Sequence, residues 1–149
     1  MKCFKICCLL TLLLSLSLSL QGCFFAPAID SFKKLGVSAT DRQALLAQQI
    51  KRFNDALHWG TNDQILALVS PMSREQIAND LEDEGEDMKV VDTRVADTSF
   101  DESAYKATVK IALRYYKVPY YVVKTRKEKQ IWDFSLSDGW LLESREFEG

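Results

Sequence analysis

The apolar residues of this chain change their spacing partway along. As far as Leu81 they recur every three or four positions, whereas beyond Lys89 they alternate. The first spacing marks the buried stripe of a helix and the second the buried face of a strand. Helices first and strands afterwards predict an α+β fold, with N-terminal helices packed on one face of a curved antiparallel sheet of about four strands.

Three helix starts share one punctuation, a Ser or Thr followed three positions later by Gln: Thr40 with Gln43, Thr61 with Gln64, Ser73 with Gln76. Such a pair can satisfy two orphan backbone N–H groups reciprocally. The first helix is predicted from Asp41 to His58, with Leu46, Ile50, Phe53 and Leu57 on one stripe and Gly60 as its stop. The second is predicted from Asn62 to Val69, ending before Pro71, and the third from Arg74 to Leu81. Five carboxylates between Glu82 and Asp87 lack the alternating spacing of an EF-hand and are expected to form a solvated loop between helices and sheet.

Strands are predicted over Lys89–Thr98, Tyr105–Tyr115, Tyr120–Phe134 and Trp140–Ser144. Their turns fall at Phe100–Ser103, Val118-Pro119 and Ser137-Asp138-Gly139. On the second strand Tyr105, Ala107, Val109, Ile111, Leu113 and Tyr115 share one face, expected to be the buried one.

The N-terminal segment follows a different logic. Lys2 and Lys5 precede a leucine-rich run, Leu9–Leu20, of about twelve residues, which is too short for the roughly twenty needed to span a bilayer. The run closes on Leu20-Gln21-Gly22-Cys23, which resembles the lipobox of bacterial lipoproteins. That resemblance implies cleavage before Cys23, lipidation of Cys23, and a mature protein anchored in the bacterial cell envelope. Phe24, where an aspartate would favour inner-membrane retention, implies the periplasmic face of the outer membrane. Residues 1–22 are then signal peptide, 23–39 a lipidated cysteine and tether, and 40–149 the folded domain. A flexible tether of that length spans roughly 20–25 Å.

Cleavage would leave 127 of the 149 residues, enough for one domain with one core. Only basic residues, Lys2 and Lys5, are lost with the leader, so the net charge of −2 becomes −4. A negative balance argues against nucleic acid as a general partner. Cys3, Cys7 and Cys8 would also be removed and Cys23 capped by lipid. The mature chain would then have no disulfide, cysteine nucleophile or thiolate metal site.

The order and lengths of the elements, with Trp132 and Gly139-Trp140 near the end of the meander, resemble the NTF2-like superfamily, also called cystatin-like. That resemblance implies a cone whose pocket lies between the first helix and the sheet. His58, the sole histidine, Tyr115, Tyr120, Trp132 and Trp140 are the candidate pocket or recognition residues, with Asp55 and Asp92 as further ionisable groups. Tyr115, Tyr116, Tyr120 and Tyr121 bracket the Val118-Pro119 turn, and Lys124, Arg126, Lys127 and Lys129 form a basic stretch expected to be solvated or to protect a sheet edge. No residue set points to a catalytic centre, metal or cofactor. The expectation is a non-enzymatic accessory or binding domain of the envelope, partnered with the membrane and an envelope protein or a second copy through the sheet face. The rival expectation is a small-molecule-binding or isomerase-like enzyme, distinguished by whether Phe53, Trp132 and Trp140 leave the pocket open.

Overall fold

The computed structural model describes residues 33–148. The signal peptide, Cys23 and most of the tether expected from the sequence lie outside the described residues. The chain from Gly36 onward is one unit, and among the described residues the core side chains belong to it.

Helix α1 spans Ala39–Trp59. Its cap is Ser38 and not Thr40: Ser38 is extended, and its Oγ accepts from the Asp41 N–H at 3.1 Å. Thr40 lies inside the first turn. Of the predicted stripe, Leu46, Ile50 and Phe53 are buried and Leu57 is partly buried against the core. Gly60 ends the helix, donating its N–H to the Ala56 carbonyl at 2.9 Å.

Helix α2, Asn62–Leu66, begins as expected, with the Thr61 N–H held by Gln64 Oε1 at 3.3 Å. It stops a turn early because the following residues lean on the sheet. Val69 bridges Leu142 in parallel, the Ser70 N–H donates to the Leu142 carbonyl at 2.9 Å, and the Leu142 N–H donates to the Leu68 carbonyl at 3.0 Å.

Helix α3, Arg74–Glu84, is longer than its apolar pattern indicated. Ser73 does not cap it, because its own backbone is helical and its hydroxyl donates to the Glu143 carboxylate at 3.2 Å. The acidic stretch is therefore only partly a solvated loop. Its first three residues are helical, and Glu84 is buried.

Strands β1 (Met88–Phe100), β2 (Lys106–Lys117), β3 (Lys124–Ser135) and β4 (Gly139–Glu148) form one antiparallel sheet in chain order. Irregularities at Val90/Asp92, Val95/Asp97 and Ile131/Trp132 interrupt its register, the devices by which a sheet bends. The inner face packs Val109, Ile111, Trp132 and Leu142 against Leu46, Phe53 and Ile77.

The basic stretch meets only part of its expectation. Lys124 and Lys127 are solvated, but β3 is an interior strand, so it protects no edge, and Arg126 points inward to a buried partner. On the outer face, register aligns Asp97, Lys110, Lys129 and Glu146 in one row across all four strands. The acids at either side offset the repulsion of two directly opposed lysines.

The entry of the chain is fixed by Arg42, itself buried. Its guanidinium donates to the carbonyls of Gly36 (2.8 Å), Val37 (2.9 Å), Ser103 (2.7 Å) and Ala104 (3.1 Å). Gly36 to Ser38, read from the sequence as the end of the tether, are thus tied to the β1–β2 turn.

Candidate functional site

The space between α1 and the sheet divides into two regions. At the end where the chain enters, aromatic side chains fill it. Phe53 meets Trp132 edge to face at 5.7 Å, Phe134 meets Trp140 at 5.4 Å, and the Trp140 indole N–H donates to the Arg42 carbonyl at 2.7 Å. Both tryptophans are buried, so they form core and no pocket wall.

Further along, the inner face turns polar. Alternation on β3 puts Arg126, Glu128 and Gln130 in phase with Trp132, and Arg145 of β4 and Glu84 of α3 close over them. The Trp132 indole N–H donates to Gln130 Oε1 at 3.0 Å, and Gln130 Nε2 donates to Glu128 Oε1 at 2.6 Å. Arg145 grips Glu128 through Nε and Nη2, each at 2.9 Å. Glu84 Oε1 accepts from Arg126 at 2.8 Å and from Arg145 at 3.2 Å. Arg126 Nε and Arg145 Nη1 are buried without a partner among the described residues.

Two carboxylates against two guanidiniums leave this interior nearly neutral, which is the condition for burying such groups. Burial pushes the Glu128 carboxyl up, but the hydrogen bonds and charge of Arg145, the Gln130 amide and the charge of Arg126 together outweigh it and hold the group below the ordinary carboxylate range. A general base needs a pKa near the working pH and a free lone pair aimed at a proton. Glu128 has the opposite disposition, since both its oxygens are engaged and its charged form is favoured.

Where α1 ends, a cleft of about 850 Å³ opens to solvent, lined among others by His58, Trp59, Glu84, Lys89 and Tyr116. Its volume lies in the range of small-molecule sites. His58 stacks on Trp59 with ring centroids 4.1 Å apart. Asp55 is exposed and pairs with Lys51 at 2.7 Å, and Asp92 is exposed on β1. Among the described residues, no three His, Cys, Asp or Glu side chains are grouped so as to hold a metal ion.

The residues singled out in the sequence do not converge. Trp132 and Trp140 lie in the core, and His58 lies at the cleft. Tyr115 sits on the inner face beside Arg126, whose guanidinium carbon is 5.6 Å from its ring, and Tyr120 stands exposed on the β2–β3 loop. Glu84, Glu128, Gln130 and Arg145 were missed. Alternation from Trp132 was enough to find Glu128 and Gln130. Arg145 was not accessible that way: counting in twos from Trp140 and Leu142 turns Ser144 inward, but an extra residue in β4 pairs Ser144 with Ile131 and Arg145 with Gln130.

No protein-family model matches the chain, and no curated protein matches it in sequence. Solved structures match in shape. A Catenulispora acidiphila protein in complex with S-DNPA is 16% identical, with a TM-score of 0.54 over 71% of this chain and 91% of that one. A second Catenulispora acidiphila structure is 13% identical, with a TM-score of 0.51 over 71% and 89% of the two chains. A SEC-C motif containing protein from Rhodopseudomonas palustris is 16% identical, with a TM-score of 0.51 over 75% and 82%. At these identities the likeness concerns the fold alone. That fold is the expected one, helices followed by a curved four-stranded antiparallel sheet.

Proposed function

We propose that this protein is a non-enzymatic binding domain of the bacterial cell envelope, held at a membrane by lipid on Cys23. One observation carries the non-enzymatic part. Phe53, Trp132 and Trp140 fill the interior at the end where the chain enters, and the buried Glu128 carboxylate further along has both oxygens held by Arg145. The anchor rests on the sequence, where the lipobox-like Leu20-Gln21-Gly22-Cys23 ends an apolar run of signal-peptide length. Burial of lipid chains contributes about 0.8 kcal/mol per methylene, so two or three on one cysteine would hold the domain at a membrane, and Phe24 after that cysteine favours the periplasmic face of the outer membrane.

The test is labelling of the full chain with radioactive palmitate in a Gram-negative host, followed by detergent phase partition. Wild type is expected to take up label and enter the detergent phase, and Cys23→Ser to remain unlabelled. An unlabelled wild type would refute the anchor.

A second reading, a small-molecule-binding or isomerase-like protein, is favoured by the cleft of about 850 Å³ beside His58 and Glu84. It gains some support from the likeness to a protein solved with S-DNPA bound. Saturable binding of a small molecule, abolished by filling the cleft with Val90→Trp, would favour it over the first.

A further inference from the structure

We propose that the β2–β3 loop is a membrane-contact site that seats its tip in the interfacial layer of a phospholipid bilayer. The loop runs Val118-Pro119-Tyr120-Tyr121-Val122-Val123, six residues without a formal charge. Tyr120 is 79% exposed, Tyr121 67% and Val122 63%, although a fold would ordinarily turn such side chains inward. Apart from Tyr121, whose ring lies 5.5 Å from that of Tyr116, the tip is left unpacked. A run of exposed apolar residues on a projecting hairpin marks a surface meant to be covered.

The chemistry of the tip selects the occupant. Tyrosine and tryptophan concentrate where hydrocarbon meets headgroup, because each has an apolar body and a polar edge. Valines between tyrosines supply the buried part. Lys124 stands at the neck, where a long side chain can lie along the tip while its ammonium meets lipid phosphate. Trp59, 82% exposed, lies on the rim of the same cleft as Tyr116, so a further amphipathic ring stands at this end of the domain.

Net charge does not drive the contact. Lys117 is shared with Asp87 at 4.0 Å and with the Glu84 carbonyl at 2.8 Å. The mixed charge fits a zwitterionic surface, with affinity from burial of the tip.

The inference does not rest on lipidation of Cys23, but the two are geometrically compatible. The chain enters at the opposite end of α1, which at about 1.5 Å per residue is roughly 31 Å long. The stretch from Cys23 to Gly36 can reach at most about 45 Å, at about 3.5 Å per residue. A lipid and an inserted loop would together supply the two signals that stable membrane attachment requires.

The test is flotation of the unlipidated unit, Gly36–Gly149, with vesicles of phosphatidylcholine and phosphatidylethanolamine, beside Tyr120→Ser/Tyr121→Ser/Val122→Ser, whose thermal unfolding should match wild type. Wild type is expected to float and the triple variant to bind roughly tenfold more weakly, a loss of about 1.4 kcal/mol. Tyr120→Trp should retain binding, with vesicle-dependent quenching by lipids brominated near the headgroup. Three results would overturn the proposal: wild type left in solution at every lipid concentration, equal flotation of the triple variant, or tip-dependent self-association without flotation, which would assign the loop to a second copy.

Discussion

The Arg145 guanidinium holds both oxygens of the Glu128 carboxylate at 2.9 Å, with the two side chains fully withdrawn from solvent on adjacent strands. Each charge is tolerable because the other is present. Removing one partner leaves an uncompensated charge in the interior, at a cost of about 3–5 kcal/mol. Arg145→Met and Glu128→Leu are each expected to lose about that much in urea denaturation. The double variant should lose much less than the sum, because well-packed apolar residues replace a buried pair at little cost. Additive losses would show that the pair is not coupled.

The same contact sets the response to acid. The folded-state pKa of Glu128 lies below its ordinary value of 4.5, because Arg145, Gln130 and Arg126 outweigh the effect of burial. A carboxylate depressed in this way contributes stability that is fully present above the ordinary value and is lost as pH falls through the folded value. Unfolding midpoints measured from pH 6 to pH 2 should therefore fall below about pH 4.5. Glu128→Gln, less stable at pH 6, should show a shallower fall. Parallel profiles would remove Glu128 as the cause.

Gly36 and Gly139 both have a left-handed backbone, with φ of +65° and +74°, but different surroundings. A Cβ at Gly36 would stand 2.5 Å from Phe134 Cζ, inside the core ring, whereas one at Gly139 would meet nothing within 4 Å. Gly139→Ala is expected to cost about 1 kcal/mol for conformation alone. Gly36→Ala should cost about 2–4 kcal/mol, since a packed ring must move as well. Thermal unfolding of the two variants side by side checks the order, and equal midpoints would mean that Phe134 yields freely.

How much of this was legible in the sequence follows from the range of the interactions involved. The α1 stripe and the inward face of β2 could be read because each is a local periodicity undisturbed by tertiary contacts. Ser38 and not Thr40 is the cap, its Oγ accepting from the Asp41 N–H and donating to the Asp41 carboxylate at 2.6 Å, an exchange three residues apart that the Ser/Thr-to-Gln spacing did not include. The extension of α3 through Glu84 could not be read, since what holds that carboxylate is Arg126 and Arg145, some forty and sixty residues later. Tyr120 and the tryptophans were grouped by residue type, yet the structure puts Trp140 beside the chain entry and Tyr120 on the loop at the other end of the sheet. Only the path of the strands separates them.

Arg42 links that entry to the sheet, and its replacement should uncouple the two. Its planar fork reaches four carbonyls on two separate segments, a geometry that the single ammonium of lysine cannot reproduce. Arg42→Lys leaves buried carbonyls without donors and is expected to cost about 3 kcal/mol or more. The loss should also be local. Amide exchange should accelerate first at Arg42 and Ala104, whose N–H groups bond within the two tied segments at 3.1 Å each, while Val109 at the sheet centre stays protected to the level of global unfolding. Uniform acceleration across the sheet would instead make Arg42 part of the common core and not the fastening of the entry segment.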